Sequence, residues 1–282
     1  MKRRKRKIIT AYMFLLPSLC GVSIFVFIPF MDAIRRSFTS PLDSKFVGID
    51  NYKTVIENEA FRLAAMNTGK FLLICIPLLL ILSLLITLFL NSLNRHRELM
   101  KMSFLFPMAI PVASIVLLWK ISFHKNGLLN VLLHHFGISA IDFMNSDYSF
   151  YILVFTYLWK NIGYDMVLWL SGLSGIPTSY YEAAKIDGAG AFARFVYITL
   201  PGLIPTIFVT TVLSLINSFK VFREAYLIAG NYPHESIYML QHIFNNWFMG
   251  LDIQKVCAGA VLLALVMAII ILLLNILNTE RE

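Results

Sequence analysis

The chain has 282 residues, of which 58% are hydrophobic and only 14% charged. A soluble domain carries about 25% charged residues, so this composition excludes one, and its apolar content excludes disorder. The net charge of +8 comes from 24 Lys and Arg against 16 Asp and Glu. In so apolar a chain those cations mark the edges of membrane spans rather than a nucleic-acid face. Cys20, Cys75 and Cys257 all lie inside apolar runs, so they form no disulfide framework.

A bilayer core takes about 20 apolar helical residues to cross. In chain order, the basic segment 1–7 leads into an uncharged run, 8–30, which predicts the first span. The run is too long for a signal-peptide core and lacks an A-x-A site. Residues 48–66 read as short surface helices, with Asp50 capping one that carries Tyr52, Val55 and Ile56 on one side. Residues 71–90 predict the second span, and 104–121, with Lys120 at its far end, the third. Pro107 and Pro111 inside that third run suggest a break. His134 and His135 follow in an outer loop; helical neighbours point about 100° apart, which makes a poor metal pair. Residues 150–173 predict the fourth span despite Lys160 and Asp165. The connecting loop 174–199 follows, then spans at 200–219 and 256–277. The runs are too long and too uniformly apolar for barrel strands. The expected fold is an all-α integral membrane protein, with six transmembrane helices in one domain over 8–277.

Orientation follows from Lys and Arg. The 1–7 cluster shares its side with Arg95, Arg97, Lys101, Lys185 and Arg194. Both termini are therefore expected in the cytoplasm, and the 174–199 loop with them.

There is no G-x-x-x-x-G-K-[ST], no H-E-x-x-H and no G-x-S-x-G. Predicted spans without a catalytic or cofactor motif point to a conduit rather than an enzyme.

The loop at 174–199 is the most informative segment. Pro177 stops the preceding helix, and Ser179 with Glu182 has the spacing of a capping box. The short helix carries Tyr181, Ala184 and Lys185 along one side, and Gly188 permits the left-handed turn that ends it. Phe192, Phe195 and Val196 cluster on a second short helix, and Pro201 opens the fifth span. The expected product is a helix–turn–helix knuckle. Its small Ala183, Ala184, Ala189 and Ala191 let another surface come close.

The chain reads Glu182-Ala183-Ala184, then Asp187-Gly188-Ala189, then Ile198-Thr199-Leu200-Pro201. This resembles the EAA loop of the permease subunits of binding-protein-dependent ABC importers. Phe14-Leu15-Leu16-Pro17, Phe46-Val47-Gly48-Ile49-Asp50-Asn51-Tyr52 and Trp159-Lys160-Asn161-Ile162-Gly163-Tyr164 narrow the resemblance. They look like the first of the two permeases in the carbohydrate-uptake, maltose and multiple-sugar type. The resemblance implies a type I importer fold in a bacterial or archaeal plasma membrane. It implies four kinds of partner: a second permease, two ATPase subunits, an extracytoplasmic solute-binding protein and a sugar or oligosaccharide. ATP and Mg would be bound by the ATPase subunits, and no cofactor by this chain. Glu182, Ala183, Ala184, Asp187 and Gly188 would couple to the ATPases.

Charges in mid-membrane are costly, so Lys160 and Asp165 should face protein or water. Asn161 and Asp165 are i, i+4 neighbours and are expected to bond. Trp159, Gly163 and Met166 share one face of the fourth span; Ser214, Asn217, Ser218 and Val221 share one of the fifth. By resemblance these positions line the sugar path. Trp159 would stack on a sugar ring, Gly163 would leave room for it, and Asn217 and Ser218 would bond hydroxyls. Met166 and Val221 depart from the pattern and offer little to such a ligand. A glycerol-phosphate or polyol substrate is the alternative, which Lys160 and Arg223 keep open. An ion-coupled secondary transporter would favour an internal repeat, and none is visible. A membrane enzyme would need an acid–base constellation that the sequence does not assemble.

Overall fold

The computed structural model describes residues 2–41, 43, 45–92 and 97–279, with side chains over 12–41, 43, 45–91 and 100–276. Arg95 of the expected charge pattern lies outside the described residues, and the side chains of Arg97 and of residues 1–7 lie outside the described side chains. The described residues are helical apart from turns and one isolated bridge between Thr39 and Phe46. They form two compact units.

The first unit comprises Met1–Phe61 and Phe244–Ala268. Helix α1 (Lys2–Val22) passes through a π-turn, Ser23–Phe27, into α2 (Ile28–Ser37). At its end Asp32 holds Arg35 at 2.9 Å and Arg36 at 2.6 Å. Helix α3 (Asp50–Glu57) buries Val55 completely and leaves Ile56 half exposed. Asp50 does not cap it: Ile49 holds the capping position, with no side-chain bond. The preceding turn is closed instead by Asn51, whose amide donates to the carbonyls of Ser37 and Thr39, and by a 2.6 Å bond between Ser37 and Tyr52.

Helix α4 (Glu59–Ser92) corrects the expected surface helices. Asn58 accepts the Phe61 N–H at 2.9 Å, which starts one 34-residue helix at Glu59. Residues 59–66 therefore extend the second span rather than lying apart from it.

The second unit comprises Arg62–Ile243 and Ile269–Glu282. It contains α5 (Arg97–Ala109), α6 (Val112–Phe123), α7 (Leu128–His135) and α8 (Tyr148–Ser174). Then come α9 (Thr178–Ile186), α10 (Ala191–Arg194), α11 (Leu200–Gly202), α12 (Ile204–Ser218) and α13 (Phe222–Ala229). Helices α14 (Leu240–Met249) and α15 (Ile253–Thr279) close the chain. The core of the second unit is built from Phe71, Cys75 and Leu79 of α4, Phe150, Leu153 and Tyr157 of α8, and Val221, Ala225, Ile237 and Met239.

The third predicted span is not one straight helix. The chain bends by 94° between Ala109 and Val112. Pro111 has no N–H to donate and forces the residue before it out of helical geometry. His134 and His135 end α7 rather than lying in a loop.

Among the described residues, four helices are long and apolar enough to cross a membrane: Tyr12–Ser37, Glu59–Asn91, Ile204–Ala229 and Ile253–Ile276. The bent pair is a fifth if it counts as one span. Length and composition thus stop short of the expected six. Helix α8, with 27 residues, has the length for another but contains Lys160 and Asp165.

In α14, His242 is fully buried against the edge of Phe222 and beside Tyr238. Its Nδ1 accepts the Met239 N–H at 3.1 Å. Burial pushes its imidazole down to about 4, so it is neutral in the fold but protonates near 6.5 when unfolded. Because the unfolded state takes up the proton first, stability falls as pH drops from about 6.5 toward 4, by on the order of 2 kcal/mol. Thermal unfolding in detergent at pH 7.5 and 4.5 should show this loss. The His242→Asn variant should show a smaller difference between the two pH values.

Candidate functional sites: a projecting loop and a mid-span cavity

The loop after α8 forms the expected knuckle by different means. Pro177, not Ser179, holds the capping position of α9, and no side chain caps it. The proposed Ser179–Glu182 box is therefore not formed. Glu182 is exposed and has no hydrogen-bond or ion-pair partner among the described residues. The far end of α9 follows the expectation. Gly188 has φ of +77°, its N–H donates to the Lys185 carbonyl at 3.1 Å, and that of Ala189 to Ala184 at 2.8 Å. These two bonds satisfy the last carbonyls of the helix.

Tyr181 is fastened to Thr199 by a 2.9 Å hydroxyl pair, which ties α9 to the start of the next helical run. A groove of about 610 Å³ runs beside α9, with Ala183, Ala184 and Asp187 on one side and Ile176, Tyr197 and Pro201 on the other. Ile186 is 87% exposed, and Phe192 and Tyr197 about equally so. Phe192 lines a shallow pocket together with Phe195, although most of its ring is exposed. Large apolar side chains stand in the open beside an unpartnered carboxylate, which is the chemistry of a contact surface.

The second site is a cavity of about 360 Å³ at the α5–α6 break. Ile110 and Pro111 form one wall; Tyr157, Lys160 and Asn161 of α8, Asn217 of α12, and Lys220, Val221, Arg223 and Glu224 line the rest. Lys160 Nζ donates to Glu224 Oε1 at 2.8 Å; Glu224 is buried and Lys160 largely so, with 14% of its side chain exposed. This is the counter-ion that Lys160 needs in an apolar setting. The other carboxylate oxygen, Glu224 Oε2, is buried and has no hydrogen-bond partner among the described residues. Lys220 donates to Asn217 Oδ1 at 2.7 Å.

Asn161 does not bond Asp165; its amide donates to the Tyr157 carbonyl at 2.8 Å. Asp165 is buried and accepts instead from the Ser214 hydroxyl at 2.9 Å. Tyr157 donates to the Ser214 carbonyl, closing a small network between α8 and α12.

Of the residues singled out in the sequence, Pro111, Lys160, Asn161, Asn217, Val221 and Arg223 line this cavity. The others lie elsewhere. Trp159 packs edge-on against Trp119 with centroids 5.8 Å apart. Gly163 makes no room for a ligand: a methyl there would overlap the Phe104 backbone, so α5 occupies that space. Met166 is fully buried against Leu90 and Leu170. Ser214 holds Asp165, and Ser218 donates to the Leu215 carbonyl in its own helix. Glu224 was missed because the predicted fifth span ends at 219, whereas its apolar run continues to Ala229. An intramembrane lysine, which needs a counter-ion, was the signal that could have found it.

The profile of the family described as "Binding-protein-dependent transport system inner membrane component" matches residues 70–279. The chain is 32% identical over 239 residues to a trehalose/maltose transport system permease of Thermococcus litoralis, covering 83% of this chain and 80% of that one. It is also 32% identical to a sulfoquinovosyl glycerol transport system permease of Agrobacterium fabrum, covering 96% and 91%. An sn-glycerol-3-phosphate transport system permease of Yersinia pestis is 30% identical, covering 90% and 88%. A crystal structure of a bacterial ABC transporter that imports the acidic polysaccharide alginate superposes with a TM-score of 0.85, at 24% identity, covering 99% of this chain and 98% of that one. At that identity the likeness establishes the fold.

Proposed function

The chain belongs to the family of binding-protein-dependent transport system inner membrane components, and from that premise we propose how its two sites divide the work of an ABC importer. It is a permease subunit, and its cargo is a sugar or oligosaccharide delivered by an extracytoplasmic binding protein. With a second permease it forms the path through the membrane. The chain has no P-loop, so two partner ATPase subunits bind ATP and Mg and hydrolyse the nucleotide. Both termini and the knuckle at 174–199 face the cytoplasm.

The observation that carries the coupling role is the exposed helix α9, with Glu182 free at its surface and Ile186 open to solvent. Helix α9 is fixed to the following helical run through Tyr181 and Thr199. A displacement of α9 by an ATPase therefore moves that run as a body. ATP binding biases two arrangements of the permeases, one open inward and one outward.

Glu182→Ala combined with Gly188→Pro tests this role. Proline cannot adopt the positive φ at 188 and removes the N–H that closes the turn. ATP-driven uptake should be abolished while the chain still inserts in the membrane. Normal uptake by the double variant would remove the coupling assignment.

A further inference from the structure

The cavity at the α5–α6 break is built for something other than a neutral sugar. Neutral sugars are held by aromatic faces and amides. Among the described residues, Tyr157 is the one aromatic lining this cavity; it is buried and its hydroxyl is committed to the Ser214 carbonyl. Trp159, the stacking candidate, is turned against Trp119.

The cavity carries charge instead. Lys160, Lys220 and Arg223 line it, against the single carboxylate of Glu224. Glu224 is matched by Lys160. Lys220 meets only the neutral amide of Asn217. Arg223 has no carboxylate partner among the described residues. Two exposed cations therefore line the cavity with no carboxylate partner among the described residues. Both cations are exposed at the cavity and so are open to a ligand's negative charge. The guanidinium fork of Arg223 matches carboxylate, sulfonate or phosphate oxygens, which a neutral hydroxyl does not use. Glu224 Oε2 adds the complementary feature: a buried acceptor with no donor among the described residues, suited to a ligand hydroxyl.

We infer that this cavity binds an anionic sugar or polyol derivative, with its acid group on Arg223 and Lys220 and a hydroxyl on Glu224. This rests on the permease reading above and narrows its cargo. The acid group is a carboxylate, sulfonate or phosphate; the three share the chemistry that the fork recognises.

The test is uptake by the complete importer, with its own permease partner, ATPases and binding protein, in proteoliposomes. The probes are matched pairs: a hexuronide and its carboxyl-reduced hexoside, a 6-sulfonated hexose and the unmodified hexose, and glycerol phosphate and glycerol. At least one anionic member should accumulate ten-fold or more faster than its neutral partner, and the pair that responds identifies the acid. Arg223→Gln should lower that uptake about ten-fold, and Arg223→Lys should recover part of it. Equal uptake of the neutral partner, or uptake by Arg223→Gln within two-fold of the parent, overturns the inference. So does failure of every probe to accumulate while the binding protein still stimulates ATP hydrolysis. Loss of that stimulation in the parent complex would instead bring down the permease reading itself.

Discussion

Lys160→Met is expected to destabilise the protein by roughly 3–5 kcal/mol, the cost of stranding one half of a buried ion pair. Glu224 is 4% exposed, and its Oε2 already lacks a hydrogen-bond partner among the described residues. Removing Lys160 would leave both oxygens of a buried carboxylate unmatched. The apparent melting temperature of the purified importer in detergent should fall by on the order of 10 °C. Adding Glu224→Gln to Lys160→Met removes the stranded charge, so the double variant should recover most of that loss. The pair joins α8 to α13 across 64 positions of sequence. A double variant no more stable than the single one would mean that the two side chains do not pair in the membrane.

Gly163→Val should be the most damaging change on α8 that alters no charge. A Cβ at 163 collides with the Phe104 carbonyl and with the backbone that follows it. Backbone cannot turn aside as a flexible side chain can, so α5 must move away from α8. Overpacking costs about 1–3 kcal/mol when side chains yield, and the upper end or more is expected here. Loss of folded protein on size-exclusion chromatography, or a large fall in thermal stability, would register it. Gly188→Ala makes the useful contrast. Nothing lies within 4 Å of a Cβ there, but φ is +77°. Its cost is the backbone one, about 1 kcal/mol. A Gly163→Val protein as stable as the parent would show that α5 is not seated on α8 at that point.

The same two glycines show how much of the protein could be read in advance. Gly188 was legible because its role is local: a helix ending, a left-handed turn and two backbone bonds are all decided within five residues. In the sequence Gly163 reads as space for a ligand; in the fold it is space for another helix. Sequence showed that something had to come close to it, but not what. Pro111 is intermediate. Its chemistry announces a break, and the 94° bend follows, but the cavity that the bend opens depends on α8 and α13 closing the other walls.

The sequence by itself determined that the chain lives in a membrane, that it is helical there, and where a knuckle stands out between two of its helices. Those properties rest on uninterrupted apolar length, on proline and on a glycine, each of which acts on its own neighbours. It also determined that Lys160 and Asp165 must be answered by something, because neither can face lipid alone. Only the tertiary structure decided what answers them: Glu224 for the lysine and Ser214 for the aspartate, 64 and 49 positions away. The cost of a buried charge is written at one position. The group that relieves it is set by which helices pack together, and that packing is a property of the whole fold.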